Sequence, residues 1–482
     1  MPTPGISAAP TTPTEWITYL EGKLGAQAAE AQYYNTYYDA EEQVLAFAQR
    51  KFKEEFGYLF ADWRDNFCGV VIDSMTERMR IDGFRWGDSP DADEDAQKIW
   101  QANFLDSEST QAHTDALVAG ISYLTVWGDE DDEPTITPES ALEMVVQYQP
   151  GSRRKLAAAL SKKRDDWGQE HVTLWTPDLV YVTTRGHKDS LWGEPQTAKN
   201  PLKVVPVVPL VNRPRLSRTK PWSELKPILP IQQAISKIAA DLITASEFNA
   251  YPQRIISGIE LNEDEEGNTV APIQAAIDRL LLFEEENVKW GQFSAADLAN
   301  YETAITMLVM HLASISRTPS HYFAGGGGMS SNSGEFTQSR EAGLVNKVED
   351  RELHFGEGWE KSMRLAFLVK GDKAKAKETR AETIWADPEY RSEGQKIDGL
   401  LKLNQLGVPM RQLQEDAGYT PQQIQRFEEM QEAEFKLQLE QQKAMADAMP
   451  QQPGAPGQPG AKPKAQQGNS GNDNRKNGGK AA

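Results

Sequence analysis

The stretch that decides the architecture of this chain is Ala324-Gly325-Gly326-Gly327-Gly328-Met329-Ser330-Ser331-Asn332-Ser333-Gly334. These residues have almost no side-chain bulk, and a segment of this composition is flexible and cannot build a hydrophobic core. The sequence on both sides has helical periodicity. We therefore predict a flexible loop that connects two helices.

On the N-terminal side, two predicted helices flank a compact insertion. The first has apolar residues at helix spacing, namely Ile231, Ile235, Ile238, Leu242 and Ala245. Pro252 ends this helix because proline lacks the backbone N–H that the helix needs. The second begins near Ser294, whose hydroxyl can cap it, and stops at Arg317-Thr318-Pro319. Its apolar stripe is Ile305, Leu308, Leu312 and Ile315.

The insertion itself is small and polar. It contains the acidic turn Glu263-Asp264-Glu265-Glu266-Gly267-Asn268. A short helix is predicted near residues 273–281 and a strand at residues 287–293. The pattern indicates a helical hairpin that carries a small subdomain.

On the C-terminal side, a long helix begins near Glu335, and Gly356 and Gly358 permit a kink in it. Its apolar contacts are Leu344, Val348, Leu353, Phe355, Trp359, Met363, Leu365 and Phe367. Shorter helices are predicted at 392–406 and 410–417, and a third opens with a capping box at Thr420-Pro421-Gln422-Gln423. From residue 449 the chain has no apolar periodicity, which predicts disorder.

The N-terminal part mixes helix and strand signals. Residues 14–80 have helical periodicity up to Asp82-Gly83, and a second helical stretch covers residues 91–119. Strands are predicted at residues 121–127, at the pair 171–175 and 179–184, and at 204–211, where prolines favour an edge position. Residues 1–225 are therefore expected to form one α+β domain.

The charge balance is acidic, with 71 Asp and Glu against 51 Lys and Arg and a net charge of −20. A protein that grips DNA is normally basic, because Lys and Arg replace the counterions of the phosphates. An acidic surface would instead repel phosphate and let DNA slide past. The alternative is that the acidity only keeps the protein soluble.

Cys68 is the only cysteine, so no intrachain disulfide can form. It lies in an apolar stretch and is expected to be buried. No secretory signal opens the chain, and no apolar run reaches the roughly 18 residues of a membrane span. These features predict a soluble protein made in a reducing cytoplasm, without membrane contact.

Signatures of catalysis are missing from the sequence. The glycines at 325–328 lack the lysine of a phosphate-binding loop, and the six histidines form no zinc-binding H-E-x-x-H motif. The run Asp129-Glu130-Asp131-Asp132-Glu133 is interpreted as a solvated loop. We expect no catalytic residue, no metal ligand and no cofactor.

The sequence resembles the portal proteins of tailed phages of the SPP-one type, particularly those of phages of actinobacteria. The resemblance covers about residues 30–430 and rests on five segments in the same order. They are Phe67-Cys68-Gly69-Val70-Val71-Ile72-Asp73 with Ile81-Asp82-Gly83-Phe84-Arg85, Ala245-Ser246-Glu247-Phe248-Asn249-Ala250-Tyr251-Pro252-Gln253-Arg254, Gly291-Gln292-Phe293 through Asp297-Leu298-Ala299-Asn300-Tyr301, Arg317-Thr318-Pro319-Ser320-His321-Tyr322-Phe323, and Glu341-Ala342-Gly343-Leu344-Val345 with His354-Phe355-Gly356-Glu357-Gly358-Trp359.

The resemblance implies a mainly helical α+β portal fold, assembled as a ring around a central channel. Carried onto this chain, it implies a wing at 1–225, a stem helix at 226–254, a clip at 255–296, a second stem helix at 297–320, a tunnel loop at 321–337, a long kinked helix with the wing return at 338–387, a helical crown at 388–448 and a disordered tail at 449–482.

The implied function is that of a virion protein at the capsid vertex, where about twelve copies form the channel for packaging and ejecting double-stranded DNA. Implied partners are the terminase large subunit, a head-tail adaptor and the major capsid protein. Residues Gly325 to Gly334 are the expected channel loop, and Glu263, Asp264, Glu265 and Glu266 the expected docking site of the clip.

Other interpretations remain open at this point. The protein could be another ring-forming head-tail connector or adaptor, although adaptors are usually much shorter, or an enzyme of unfamiliar type. The glycine-rich loop could be a surface loop, and the acidic turn a merely solvated hairpin.

Overall fold

The computed structural model describes residues 9–41, 65–250, 254–257, 262–263, 269–270, 280–283, 291–292, 297–323, 334–389 and 393–448. Residues 88, 90, 129, 130, 132, 187–191 and 219 within these ranges are not described. Helices and strands are both abundant, so the α+β class is confirmed for this part of the chain.

Helix α1 spans Pro13–Tyr38 and begins with a capping box. The backbone N–H of Glu15 donates to Thr12 Oγ1 at 3.3 Å, and the N–H of Thr12 donates to Glu15 Oε2 at 3.2 Å. The helix buries one face, formed by Ile17, Leu20, Leu24, Ala31 and Tyr34. The next described helix, α2, spans Phe67–Thr76.

The helical pattern ends before Asp82-Gly83, as predicted, because α2 stops at Thr76. The sequence did not indicate, however, that these two residues lie inside a strand, β1 at Ile81–Trp86. This strand pairs antiparallel with the last described strand, Ala381–Trp385, with a register irregularity between Ile81 and Gly83. A partner some 300 positions away leaves no local signal, and a bulge accommodates the glycine.

The helical stretch predicted at 91–119 consists of two helices, α3 at Glu94–Ala102 and α4 at Leu105–Ala119. They are separated at Phe104, which has a φ of 53°. The preceding Asn103 stabilises this corner, since its Nδ2 donates to the carbonyls of Ile99 and Pro134. Gly120 ends α4 as predicted, with a φ of 89°.

A three-stranded antiparallel sheet follows, with the order β3-β2-β9. Its strands are β2 at Ile121–Gly128, β3 at Pro134–Glu139 and β9 at Val207–Val211. The predicted edge position of β9 is confirmed, and an edge strand tolerates the missing N–H of Pro209.

A second antiparallel sheet is a meander of five strands, β4 to β8, in chain order. They span Met144–Tyr148, Leu156–Arg164, Glu170–Trp175, Leu179–Arg185 and Gln196–Lys199. The predicted pairing of the third and fourth strands is confirmed. Helix α1 packs on this sheet, burying Ile17, Leu20 and Leu24 against Leu160 and Leu174.

The central helices are α5 at Leu229–Ala250, α6 at Ala299–Ser316 and α7 at Gly334–Val369, as predicted from the periodicity. Two assignments to their apolar faces are wrong, because Ile315 and Leu353 are exposed. Helix α7 supplies Phe355, Trp359 and Phe367 to the largest core cluster, together with α2 to α4 and β1.

The glycines of α7 allow close packing. A Cβ on Gly358 would lie 2.3 Å from Leu210 Cδ2, and one on Gly356 would lie 3.3 Å from Trp385 Nε1. Leu210 is on β9 and Trp385 on the last strand. Gly356 and Gly358 therefore let α7 approach two strands closely.

Between α5 and α6 the described residues form five short strands: β10 at Arg254–Ser257, β11 at Asn262–Glu263, β12 at Thr269–Val270, β13 at Leu280–Phe283 and β14 at Gly291–Gln292. Strand β10 pairs parallel with β13 and antiparallel with β14. The helix predicted at 273–281 is wrong at its end, because Leu280 and Leu281 form a strand with β10. Residues 273–279, 287–290, 293 and 294 lie outside the described residues.

The C-terminal elements are α8 at Lys373–Lys377, β15 at Ala381–Trp385, α9 at Glu393–Gln405, α10 at Met410–Asp416 and α11 at Pro421–Ala448. Gly407 and Gly418 have the positive φ expected of helix ends, 90° and 92°. The capping box at Thr420 and Gln423 is confirmed. The chain divides into two compact units, Met1–Ile424 and Gln425–Ala482. No helix among the described residues is long and apolar enough to cross a membrane.

Candidate functional site: the helix ends beside the glycine-rich segment

The structure places the predicted site residues only in part. Gly334 is the first residue of α7, and residues 325–333 lie outside the described residues. Glu263 ends β11 and pairs with Thr269 of β12. Asp264, Glu265 and Glu266 lie outside the described residues, so their docking role remains a prediction.

The N-terminal flank of the segment turns sharply after α6. Arg317 ends this helix with a φ of 58°, and the N–H of Thr318 donates to the carbonyl of Ala313 at 3.1 Å. A short 3-10 turn, Ser320–Tyr322, follows Pro319. The chain therefore leaves α6 in a fixed direction before it enters the segment.

Arg78 joins the two flanks of the segment. Its Nη2 donates to the hydroxyl of Tyr322 at 2.7 Å and to Glu341 Oε2 at 3.2 Å, and its Nη1 donates to the carbonyl of Pro388 at 2.6 Å. Tyr322 precedes the segment and Glu341 follows it. Because the side chains of Arg78 and Glu341 are largely buried, these charge-assisted bonds are shielded from water.

Aromatic side chains support the same flank. The rings of Phe323 and Phe67 lie 5.9 Å apart at an interplanar angle of 63°, and both pack against the main core. His321 Nε2 lies 3.6 Å from Glu341 Oε1. Phe323, the residue before the segment, is thus held by packing.

A buried ionic cluster lies below these contacts and connects α6 to α7. Glu224 accepts from Arg351 Nη2 at 2.8 Å, and its Oε2 lies 3.0 Å from Lys347 Nζ. Lys347 also donates to the carbonyl of Ser316, the last residue of α6, at 3.1 Å. Asn212 of the loop after β9 donates to Glu224 at 3.1 Å.

The charges of this cluster depend on one another. Burial opposes the ionisation of Glu224, but the charges of Lys347 and Arg351 outweigh it and lower the pKa of Glu224 to about 2. Burial lowers the pKa of Lys347, and Glu224 opposes that shift. The cluster therefore holds two cations around one carboxylate and fixes α7 relative to the end of α6.

Farther along α7, two carboxyl groups bind their protons unusually tightly. Burial, then repulsion from Glu349 and Asp387, raises the pKa of Glu352 to about 8. Burial, and to a smaller extent repulsion from Glu357, raises the pKa of Glu360 to about 7. Glu352 Oε1 has no hydrogen-bond partner in the described structure.

The exposed face of α6 is almost without charge. Glu302 is the only Asp, Glu, Lys or Arg in the helix. Met307 and Met310 are 53% and 44% exposed, and Thr303 and Ser314 lie on the same side at helix spacing. Such a surface on an acidic chain is typical of a protein contact.

None of the groups that hold the flanks was identified from the sequence. One signal was present, because Arg351 occupies a position at which the buried stripe Leu344, Val348, Phe355 and Trp359 would place an apolar residue. A buried arginine implies a buried acidic partner. The partner, Glu224, is 127 positions away, and local patterns do not identify it.

The other polar groups singled out in the sequence are a possible metal site, His113 and Cys68. No three His, Cys, Asp or Glu side chains there are grouped as metal ligands. His113 is buried and accepts from Trp359 Nε1 at 2.8 Å, and burial lowers the pKa of His113 to about 3. Cys68 is buried, as predicted.

Comparison with known proteins gives consistent matches. The family described as "Phage portal protein, SPP1 Gp6-like" matches residues 19–437. A portal protein of Mycobacterium phage L5 is 32% identical over 441 residues, which cover 87% of this chain and 88% of that protein. A portal protein of Mycobacterium phage D29 is 34% identical over 404 residues, 80% of this chain and 82% of that protein.

Proposed function

The chain belongs to the SPP1 Gp6-like family of phage portal proteins, and on that premise we propose that about twelve copies form a ring around a channel for double-stranded DNA. The ring lies at the portal vertex of the capsid, in contact with the major capsid protein. DNA enters through it during packaging and leaves through it during ejection. The protein acts as a structural part of the virion and not as an enzyme.

The observation that carries the assembly proposal is the exposed face of α6, which has almost no charge. Met307 and Met310 would remain in water in an isolated subunit. In a closed ring, the neighbouring copy covers the same patch on every subunit, which removes this apolar surface from water.

The test is negative-stain imaging of the purified full chain. Rings with a central hole support the proposal. A uniform population of monomers at micromolar concentration would refute it. Mass photometry of the same sample gives the number of copies, which distinguishes a twelve-membered ring from a small oligomer.

The glycine-rich segment is proposed to face the channel. Its two flanks are held by Arg78, and residues 324–334 contain neither Lys nor Arg, so the segment would not bind and slow the phosphate backbone. Cysteines at Gly326 and Ser331 test this placement, since Cys68 is buried. The placement is supported if these cysteines crosslink neighbouring subunits and if DNA in the channel abolishes the crosslinks. Labelling of these cysteines in intact rings by a reagent too large for the channel contradicts it.

The insertion between α5 and α6 is proposed to be the clip, where the terminase large subunit and later the head-tail adaptor dock. The support is its position between the two helices and the hairpin of β11 and β12, which carries the acidic turn. Replacing Glu263, Asp264, Glu265 and Glu266 with lysine is expected to impair packaging in rings of normal appearance. Normal packaging would exclude the docking role.

A further inference from the structure

A groove with a basic rim lies where the end of α7, helix α8 and the loop before β9 meet. It has a volume of about 550 Å³. Its cationic side chains are Lys361 and Arg364 of α7 and Lys373 and Lys377 of α8. None of the residues lining the groove is acidic, although the chain as a whole has a net charge of −20.

The four cations of the groove have no ion-pair partner among the described residues. Lys375 of the same short helix is different, because it binds Asp93 and Asp95 at 2.7 and 2.8 Å. Glu360 interacts electrostatically with Arg364 but lines no part of the groove. Carboxylates of this chain therefore neutralise Lys375, whereas none of the residues that line the groove offers a carboxylate to its four cations.

The two cations on α7 are held in an unfavourable arrangement. Burial lowers the pKa of Lys361, and the neighbouring charge of Arg364 lowers it further. A partly buried cation next to a like charge costs free energy unless an anion approaches. A bound carboxylate would remove this cost.

The floor of the groove is apolar. Val204 is 41% exposed there, and Leu365 and Leu368 of α7 lie beside it. The backbone of duplex DNA has phosphates that could contact the cations, but it has no apolar groups to pack on the floor of the groove. A peptide with both acidic and apolar residues matches the rim and the floor together.

We propose that this groove binds an acidic, amphipathic segment of another protein, with its carboxylates on the four cations and its apolar side chains on Val204, Leu365 and Leu368. The groove belongs to each subunit, so the proposal does not depend on ring formation. In a ring, its repetition would strengthen the binding of a multivalent partner.

The first test measures fluorescence anisotropy with the purified full chain and a labelled helical peptide of about 15 residues, with leucines on one face and glutamates on the others. A scrambled peptide of the same composition and a short DNA duplex are the comparison probes. We expect the amphipathic peptide to bind at least about tenfold more tightly than the scrambled one, a difference of about 1.4 kcal/mol.

Matched variants locate the binding. The double variant K373E/K377E is expected to weaken peptide binding about tenfold or more, while K98E/K402E, which changes two exposed lysines elsewhere, should leave it unchanged. V204S should weaken binding several-fold, and V182S, at a valine that is 40% exposed on β7, should not.

Two results would overturn the proposal. One is equal binding of the amphipathic and scrambled peptides, which would mean that charge alone is recognised. The other is tighter binding of the duplex that is lost in K373E/K377E, which would make the groove a nucleic-acid site. Negative-stain images of each variant show separately whether ring formation is intact.

Discussion

At the residue scale, Glu224, Lys347 and Arg351 are the charges most deeply buried together in the described structure. Glu224 contacts both cations directly, and Arg351 also contacts Asp350. In such a cluster, removing the shared carboxylate costs more than the pairing contributes. Lys347 would stay buried without an anion, and Arg351 would keep only the exposed Asp350.

Glu224→Gln is therefore expected to lower the free energy of unfolding by about 3–5 kcal/mol. Denaturant unfolding at neutral pH measures it. Asp241→Asn is the control, because it removes an exposed ion pair with Lys237 and should cost less than about 1 kcal/mol. A loss no larger than that of the control would show that the cluster is not as closely coupled as its geometry indicates.

The same cluster predicts that the stability of the fold decreases at acidic pH. The pKa of Glu224 in the folded chain, about 2, lies below its ordinary value of 4.5. The contribution of ionised Glu224 to the free energy of unfolding is therefore present above pH 4.5 and is lost as the pH falls toward 2. The difference in stability between wild type and Glu224→Gln should shrink over that window.

Glu352 predicts the opposite trend. Its pKa in the folded chain, about 8, lies above 4.5, so the folded state binds the proton more tightly and stability is lost as the pH rises from 4.5 to 8. Glu352→Gln should raise the melting temperature relative to wild type at pH 8, and less at pH 5. Glu302→Gln, on an exposed part of α6, is the control. An equal effect at both pH values would contradict the shift.

At the scale of elements, α7 determines how the N-terminal and C-terminal parts of the fold meet. It contacts β9 through Gly358 and β15 through Gly356, and it carries Lys347 and Arg351. Each of these contacts is to an element distant in sequence. The helix is therefore sensitive to small increases in side-chain volume on its buried face.

Gly358→Ala tests this packing. The added Cβ would lie 2.3 Å from Leu210 Cδ2, and Leu210 is fully buried, so we expect a loss of about 1–3 kcal/mol in the free energy of unfolding. Gly343→Ala in the same helix meets atoms only at 3.9 Å and should be neutral or stabilising. Equal effects of the two changes would show that the close approach does not constrain α7.

At the scale of the whole molecule, the family shows the function, and the proposal that copies meet through the exposed face of α6 can be tested by mutation. Met307→Glu with Met310→Glu should abolish rings in negative stain while the circular dichroism spectrum is retained, since both side chains are exposed in the subunit. Leu216→Glu, at an exposed apolar residue elsewhere, is the control and should leave rings intact. Normal rings from the double variant would place the subunit contact elsewhere.

The sequence by itself determined the central helices, several strands, the helix ends at Gly120, Gly407 and Gly418, and the family. These features depend on local periodicity, on the conformational freedom of glycine, and on motifs whose order is kept along the chain. Ile315 and Leu353 are exposed although both fit the apolar pattern of their helices. Periodicity predicts which side of a helix is apolar, but not how much of that side the neighbouring elements cover.

The tertiary structure alone decided the pairing of β1 with β15, the corner at Phe104, and the contacts of Arg78 and Glu224. Each of these features depends on contacts between residues that are far apart in the sequence. The residues next to them in the chain therefore give no indication of them. Gly83 can lie within a strand because the partner strand pairs with it and the register irregularity accommodates it, and Arg351 can be buried because the fold brings Glu224 to it. Long-range pairing of strands and charges overrides local preference, because its free energy is realised only when the distant partner is in place.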